Sequence, residues 1–206
     1  RKDEYDIING IESHKYTGVI KVIMAFTGAG ISQESGIPTF ENQKELRNKL
    51  TREYANSFPD EYNEVIQQLK ANVNEAKPND AHIALAEYKI PIITMNIDGL
   101  HKDVGSDALE LHGTLPDEEE LDNASLLVAK PILYGDIAPN YNKAIQMVSQ
   151  LGKGDTLLIV GASDYTGISR ELKEIAYING AQIIEIQEQS STNVRKHLDN
   201  QFIQNK

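Results

Sequence analysis

Val19-Ile20-Lys21-Val22-Ile23-Met24-Ala25-Phe26 runs without a break into Thr27-Gly28-Ala29-Gly30. The apolar run reads as a buried strand. A Gly-Ala-Gly turn directly after such a strand has the geometry for close backbone approach to a diphosphate. Side chains there would block the ligand, and the N–H groups of the following helix start face the negative charge. An ordinary tight turn fits the local sequence equally well. Gln33 stands where the third glycine of G-x-G-x-x-G belongs, and no acidic residue ends an obvious second strand to meet a ribose.

Outward from this junction, short apolar runs alternate with amphipathic stretches, the rhythm of an α/β fold with a mostly parallel sheet. Ile90-Pro91-Ile92-Ile93-Thr94 reads as a second strand, with Pro91 near its start, where a missing N–H is tolerated. Leu126-Leu127-Val128 and Ile132-Leu133-Tyr134 give one or two more, and Thr156–Val160 and Gln182–Ile186 complete the set. Tyr62, Val65, Ile66 and Leu69 follow a capping signal of Ser57 and Asp60 at helical spacing. Asn79 caps a helix with His82, Leu85 and Ala86 inward; Tyr141, Ala144, Ile145 and Val148 mark another after Pro139. Val194, Leu198 and Phe202 mark a terminal one.

Residues 41–79 are polar and helical in pattern, with no strand signal, and are longer than one crossover helix needs. The expected organisation is therefore one domain over 1–206. A Rossmann-like core takes 1–40, 80–113 and 127–206, and a small helical lobe over 41–79 is joined by a reduced loop over 114–126. Within that loop, Asp117, Glu118, Glu119, Glu120 and Asp122 make a solvated acidic segment.

Composition narrows the function. With 206 residues, 25% charged and 40% hydrophobic, the chain is ordinary globular protein. It has no apolar run near the ~18 residues of a membrane span. A net charge of -11 argues against direct nucleic-acid partners and anionic membrane surfaces. There is no cysteine, which excludes disulfides, a cysteine nucleophile and thiolate zinc, and is compatible with a reducing cytoplasm, the expected location.

Read further, Gly28-Ala29-Gly30-Ile31-Ser32-Gln33-Glu34-Ser35-Gly36-Ile37-Pro38-Thr39-Phe40 closely resembles the sirtuin family of NAD-dependent protein deacylases, whose pattern is GAGIS, two variable residues, then SGIPDFR. Thr94-Met95-Asn96-Ile97-Asp98-Gly99-Leu100-His101 resembles the second signature, TQNIDGLH, and Glu110-Leu111-His112-Gly113 the third, ELHG. Pro78-Asn79 with Ala81-His82 and Leu85, Tyr134-Gly135-Asp136 with Pro139, and Gly161-Ala162-Ser163 are similar to further family segments. The matches fall in family order, from about residue 19 to about residue 188.

The resemblance implies NAD as cofactor and an acylated protein or peptide as partner. In the implied reaction the bond between nicotinamide and ribose breaks and the acyl-lysine oxygen captures the sugar carbon. A base then takes a proton from a ribose hydroxyl, a task suited to histidine. His112 is that base by resemblance; alone, Leu-His-Gly would read as a hydrogen-bonded histidine at an element's end. Asn96 and Asp98 match residues around the nicotinamide amide and its ribose, although Asn-Ile-Asp-Gly also makes a good turn. Phe40 matches an aromatic shield over the sugar, or is a core phenylalanine. Gly28, Ala29, Gly30, Ser32, Gly161 and Ser163 would hold the diphosphate and adenosine ribose, with Gln187 where the family has an asparagine. His14, His82 and His197 read as structural or exposed, and His101 is assigned no chemistry.

Three departures stand out. Only residues 114–129 separate Gly113 from Lys130, too few for the family's four-cysteine zinc module, so no metal is expected. Asp-Phe-Arg becomes Thr39-Phe40-Glu41, which places a negative group where a positive one faced a dianion, at a cost on the order of 1–4 kcal/mol if uncompensated. The glutamine of the second signature is Met95. These changes bear on rate and acceptor more than on cofactor binding. They keep open an NAD glycohydrolase or protein ADP-ribosyltransferase, and a catalytically weak module that binds NAD or ADP-ribose. The sequence gives no indication of oligomeric state.

Overall fold

The strand signals converge on one parallel sheet: β1 (Ile23–Thr27), β2 (Ile92–Thr94), β3 (Ala108–Glu110), β4 (Thr156–Val160) and β5 (Gln182–Ile186), in the order β3-β2-β1-β4-β5. The computed structural model describes residues 21–39, 43–122, 130–164 and 166–203. The turn at residue 28 runs into a short 3₁₀ helix (Ala29–Ser35). The α-helices are α1 (Lys44–Lys49), α2 (Arg52–Ser57), α3 (Pro59–Glu75), α4 (Asp80–Glu87), α5 (Leu100–Asp103) and α6 (Glu118–Leu121). After them come α7 (Tyr141–Val148), α8 (Gly167–Ile178) and α9 (Ser190–Ile203).

β1 sits in the centre, pairing with β2 and β4, and all five of its residues are buried. A strand covered on both faces must be apolar at every position, which is why residues 23–26 show no polar alternation. Met24 and Phe26 face one side with Leu157, Ile159 and the inner residues of α7 and α8. Ile23 and Ala25 face the other with Leu158, Val160, α4 and α9. The order reverses between β1 and β4, the switch point at whose carboxyl ends open α/β sheets bind ligands.

A third apolar cluster lies apart from the sheet. Leu50, Ala55, Tyr62, Val65 and Ile66, from α1 to α3, bury against Leu115 and Leu133 from the chain after β3. Polar ties join the same pieces. Arg52 grips Asp136 with Nε and a terminal nitrogen, both at 2.7 Å. The Tyr62 hydroxyl donates to the Lys130 carbonyl at 2.6 Å, and Lys130 pairs with Glu120 at 2.5 Å.

Several elements differ from expectation. Ser57 closes α2 rather than capping α3, which begins at Pro59, where the absent N–H would have had no intrahelical partner. Ile132-Leu133-Tyr134 is no strand; it contributes one bridge, Tyr134 to Thr51. The acidic segment is not an open loop, because Asp117 and Glu120 cap each other across α6. β3 carried no strand signal: its three residues are only half-buried at the sheet edge. Leu126-Leu127-Val128 lies outside the described residues.

Candidate active site

The glycine turn is tied to the loop after β4 by its own backbone. Gly28 N–H donates to Val160 O at 3.0 Å and Gly30 N–H to Gly161 O at 2.8 Å. A Cβ on Gly30 would lie 2.5 Å from Gly161 Cα, and one on Gly161 (φ +59°) 2.2 Å from Ile31 N. These glycines therefore let the loops after β1 and β4 touch each other. The amides of Gly28 and Gly30 are both committed inside the protein. Gly161, Ser163 and Ala29 line the same junction, half-buried.

Ser32 follows on the 3₁₀ helix with no exposure. Its hydroxyl donates to Asp98 Oδ2 at 2.7 Å and accepts from Asn96 Nδ2 at 3.2 Å. His82 Nε2 lies 3.4 Å away. Because Asn79 N–H donates to His82 Nδ1 at 3.2 Å, the ring proton of neutral His82 belongs on Nε2 and points at Ser32. Asn96 Nδ2 also donates to Gly28 O at 3.1 Å. Both amide hydrogens are then committed, and the oxygen is what Asn96 has to offer a ligand. Asp98 Oδ1 accepts from Leu100 N–H at 3.0 Å, which orients the carboxylate. The structure thus brings Ser32, Asn96 and Asp98 into one network with Ser32 at its centre.

His112 stands beside it. Leu111 N–H donates to Thr94 O and Leu115 N–H to Ile97 O, so residues 111–115 extend alongside 94–97. His112 Nδ1 lies 3.2 Å from Met95 O, and Nε2 lies 3.0 Å from the Tyr141 hydroxyl. A carbonyl only accepts, so Nδ1 carries the proton and Nε2 holds the lone pair. Burial lowers the His112 pKa, with the Met95 carbonyl pulling the other way, and the ring is neutral at neutral pH. The side chain of Met95 packs with the sheet core and accepts from Thr166 Oγ1 at 3.4 Å.

Gln187, exposed at the end of β5, donates to Ala162 O at 2.8 Å and reaches the loop after β4 from the far side. Phe40 and Glu41 lie outside the described residues. Sequence reasoning undervalued His82 and His101, both buried. The signal for His82 was its place three residues after the capping Asn79. It missed Tyr141 altogether, for which only helical spacing was visible. Among the described residues no three His, Asp or Glu side chains cluster to hold a metal ion. No helix there is long and apolar enough to cross a membrane.

A doubly wound α/β domain with a buried polar network past the carboxyl ends of β1 and β2, and a neutral histidine on the neighbouring segment, is the class that fold and site define. Residues 28–125 match the model of the Sir2 family. The NAD-dependent protein deacetylase of Thermodesulfovibrio yellowstonii is 33% identical, over 79% of this chain and 78% of its own. The NAD-dependent protein deacylase of Thermococcus sibiricus is 32% identical, over 83% and 82%. A solved Sir2 homologue in complex with NAD superposes with a TM-score of 0.71 at 21% identity, covering 87% of this chain and 89% of its own. The chain belongs to the Sir2 family.

Proposed function

We propose that the protein is an NAD-dependent protein lysine deacylase and that His112 is its general base. The carrying observation is the committed tautomer of His112: Nδ1–H held by Met95 O leaves Nε2 to accept a proton, next to the Ser32–Asn96–Asp98 network. NAD, when bound, supplies the ADP-ribose that becomes the acyl acceptor as nicotinamide leaves.

The residues present fit that group. The Ser32–Asn96–Asp98 network lies past the carboxyl ends of β1 and β2, beside the strand-order reversal where dinucleotides bind in open α/β sheets. Asn96 oxygen and the Asp98 carboxylate offer acceptors to a carboxamide N–H₂ or a ribose hydroxyl. Ser32 and Leu100 N–H hold Asp98 in one orientation, so little entropy is lost when a ligand arrives. His112 Nε2 takes the proton of a ribose hydroxyl, assisted by a ring that burial keeps neutral. The lobe of α1 to α3, packed on Leu115 and Leu133, is the wall assigned to the acylated lysine, and Phe40 is the residue assigned to shield the sugar. Gly28, Ala29, Gly30, Gly161, Ser163 and Gln187 border the adenosine side.

Incubation with NAD and acyl-lysine peptides, read by mass spectrometry, tests this. Nicotinamide, O-acyl-ADP-ribose and the deacylated peptide are expected, and His112→Ala should lower turnover at least 100-fold. Nicotinamide release without peptide, or ADP-ribose retained on protein, would instead indicate glycohydrolase or ADP-ribosyltransferase activity. Nucleotide binding with no release over hours would indicate a binding module.

A further inference from the structure

The one lone pair on which this reading depends is already occupied. With Nδ1–H committed to Met95 O, His112 Nε2 can only accept, so the Tyr141 hydroxyl at 3.0 Å is the donor. A hydroxyl donating to the proton-accepting nitrogen is the arrangement a ribose hydroxyl must itself adopt. The phenol sits as a placeholder for the substrate group.

Its position is fixed by the fold and not by a flexible tip. Tyr141 is the first residue of α7, and Ala144 and Val148 bury that helix against the sheet. Asn140 Nδ2 donates to Glu110 O at 2.8 Å, tying the start of α7 to the end of β3, two residues before His112. The rings of Tyr141 and His112 lie 6.0 Å apart, centroid to centroid, tilted by 53°. Tyr134 is the titratable group acting on Tyr141, while burial and the Met95 carbonyl are the influences on His112. Two residues from His112, Glu110 is itself pushed up by burial and by Asp98, and pulled down by Lys102.

We propose that Tyr141 is a positioning residue that caps the proton-accepting nitrogen of His112, keeping water from it until a ligand hydroxyl takes the phenol's place. Exchanging one hydroxyl donor for another conserves the count of hydrogen bonds, so displacement is readily reversible. A donor on the lone pair favours the neutral ring, so the cap and protonation of His112 oppose each other.

The inference rests on His112 being the base, and two separate readouts keep the failures apart. If His112→Ala retains turnover, that reading fails whatever Tyr141 does. The cap is read without turnover, by NMR titration of the His112 ring in the full chain. In Tyr141→Phe the His112 pKa should rise by roughly half a unit to one unit, the equivalent of one hydrogen bond. His82 and His101 should stay unchanged. The acid limb of the pH–rate profile should move up by the same amount, with the plateau rate held within about fivefold.

An unmoved His112 titration, or a plateau loss greater than about fivefold, overturns the cap. The second result would mean the phenol takes part in the proton transfer. Should Tyr141→Phe not fold, Asn140→Ala frees the start of α7, so that the phenol, still in the chain, spends less time on His112 Nε2. It should move the His112 titration upward by less, and no movement would overturn the cap.

Discussion

Gly30 and Gly161 interlock: the N–H of the first donates to the carbonyl of the second at 2.8 Å, and neither has room for a side chain. Gly161→Ala would add a methyl against the backbone of residues 30 and 31 and force an L-residue to φ +59°. Overpacking and the left-handed conformation together should cost about 2–5 kcal/mol. Urea denaturation measures it, and a loss below about 1 kcal/mol would mean the two loops separate freely.

Ser32 is the shared partner of three side chains, so its hydroxyl should matter beyond its size. Ser32→Ala leaves the Asp98 carboxylate short of a donor and strands hydrogens of Asn96 and His82. A stability loss of about 2–4 kcal/mol is expected, with weaker NAD binding, by calorimetry on the same preparation. Unchanged affinity would separate the network from the ligand.

The Arg52–Asp136 pair is two-pronged and partly buried. Asp136 also accepts from Leu133 N–H at 2.8 Å. Arg52→Ala should lower the melting temperature, the loss being roughly 1–2 kcal/mol. Arg52→Lys should recover less than half, since an ammonium cannot match both carboxylate oxygens. Full recovery by lysine would reduce the contact to simple charge.

Buried histidines make the fold acid-sensitive. Burial lowers the pKa of His82 and His112 and, with His82 adding to it, pushes His101 down to about 3. An unfolded chain takes up these protons as the pH falls below about 6.5, whereas the folded chain does not. Stability is therefore complete above that pH and declines below it, His101 alone contributing about 1.4 kcal/mol per pH unit down to its folded value. Urea midpoints between pH 7 and 4.5 should show the decline, and His101→Gln should flatten it by that amount.

How much of this was legible beforehand follows from the physics of each signal. β1, β4 and the Gly28–Gly30 turn were readable because burial on both faces leaves only apolar residues and a glycine has few other reasons to be there. The α4 cap at Asn79 was readable from local chemistry. β3 was not, since Ala108–Glu110 gains its strand geometry from pairing with β2 at an edge that demands no apolar run. The pairing of Asn96 with Ser32 spans 64 positions, and no local rule reports it. Nor could sequence tell that Gly28 and Gly30 serve their opposite loop. Contact between loops and contact with a ligand call for the same residue.

The central place of β1 has a consequence for how the chain comes into being. Val22 N–H meets Asp155 across 133 positions, and the whole of β1 waits for β4 before its second edge is covered. On a ribosome that interval is on the order of ten seconds. During it the nascent strand carries a naked apolar rim, the state in which a holding chaperone would find it. A product halted before β4 would possess the glycine signature and yet lack the loop it locks onto.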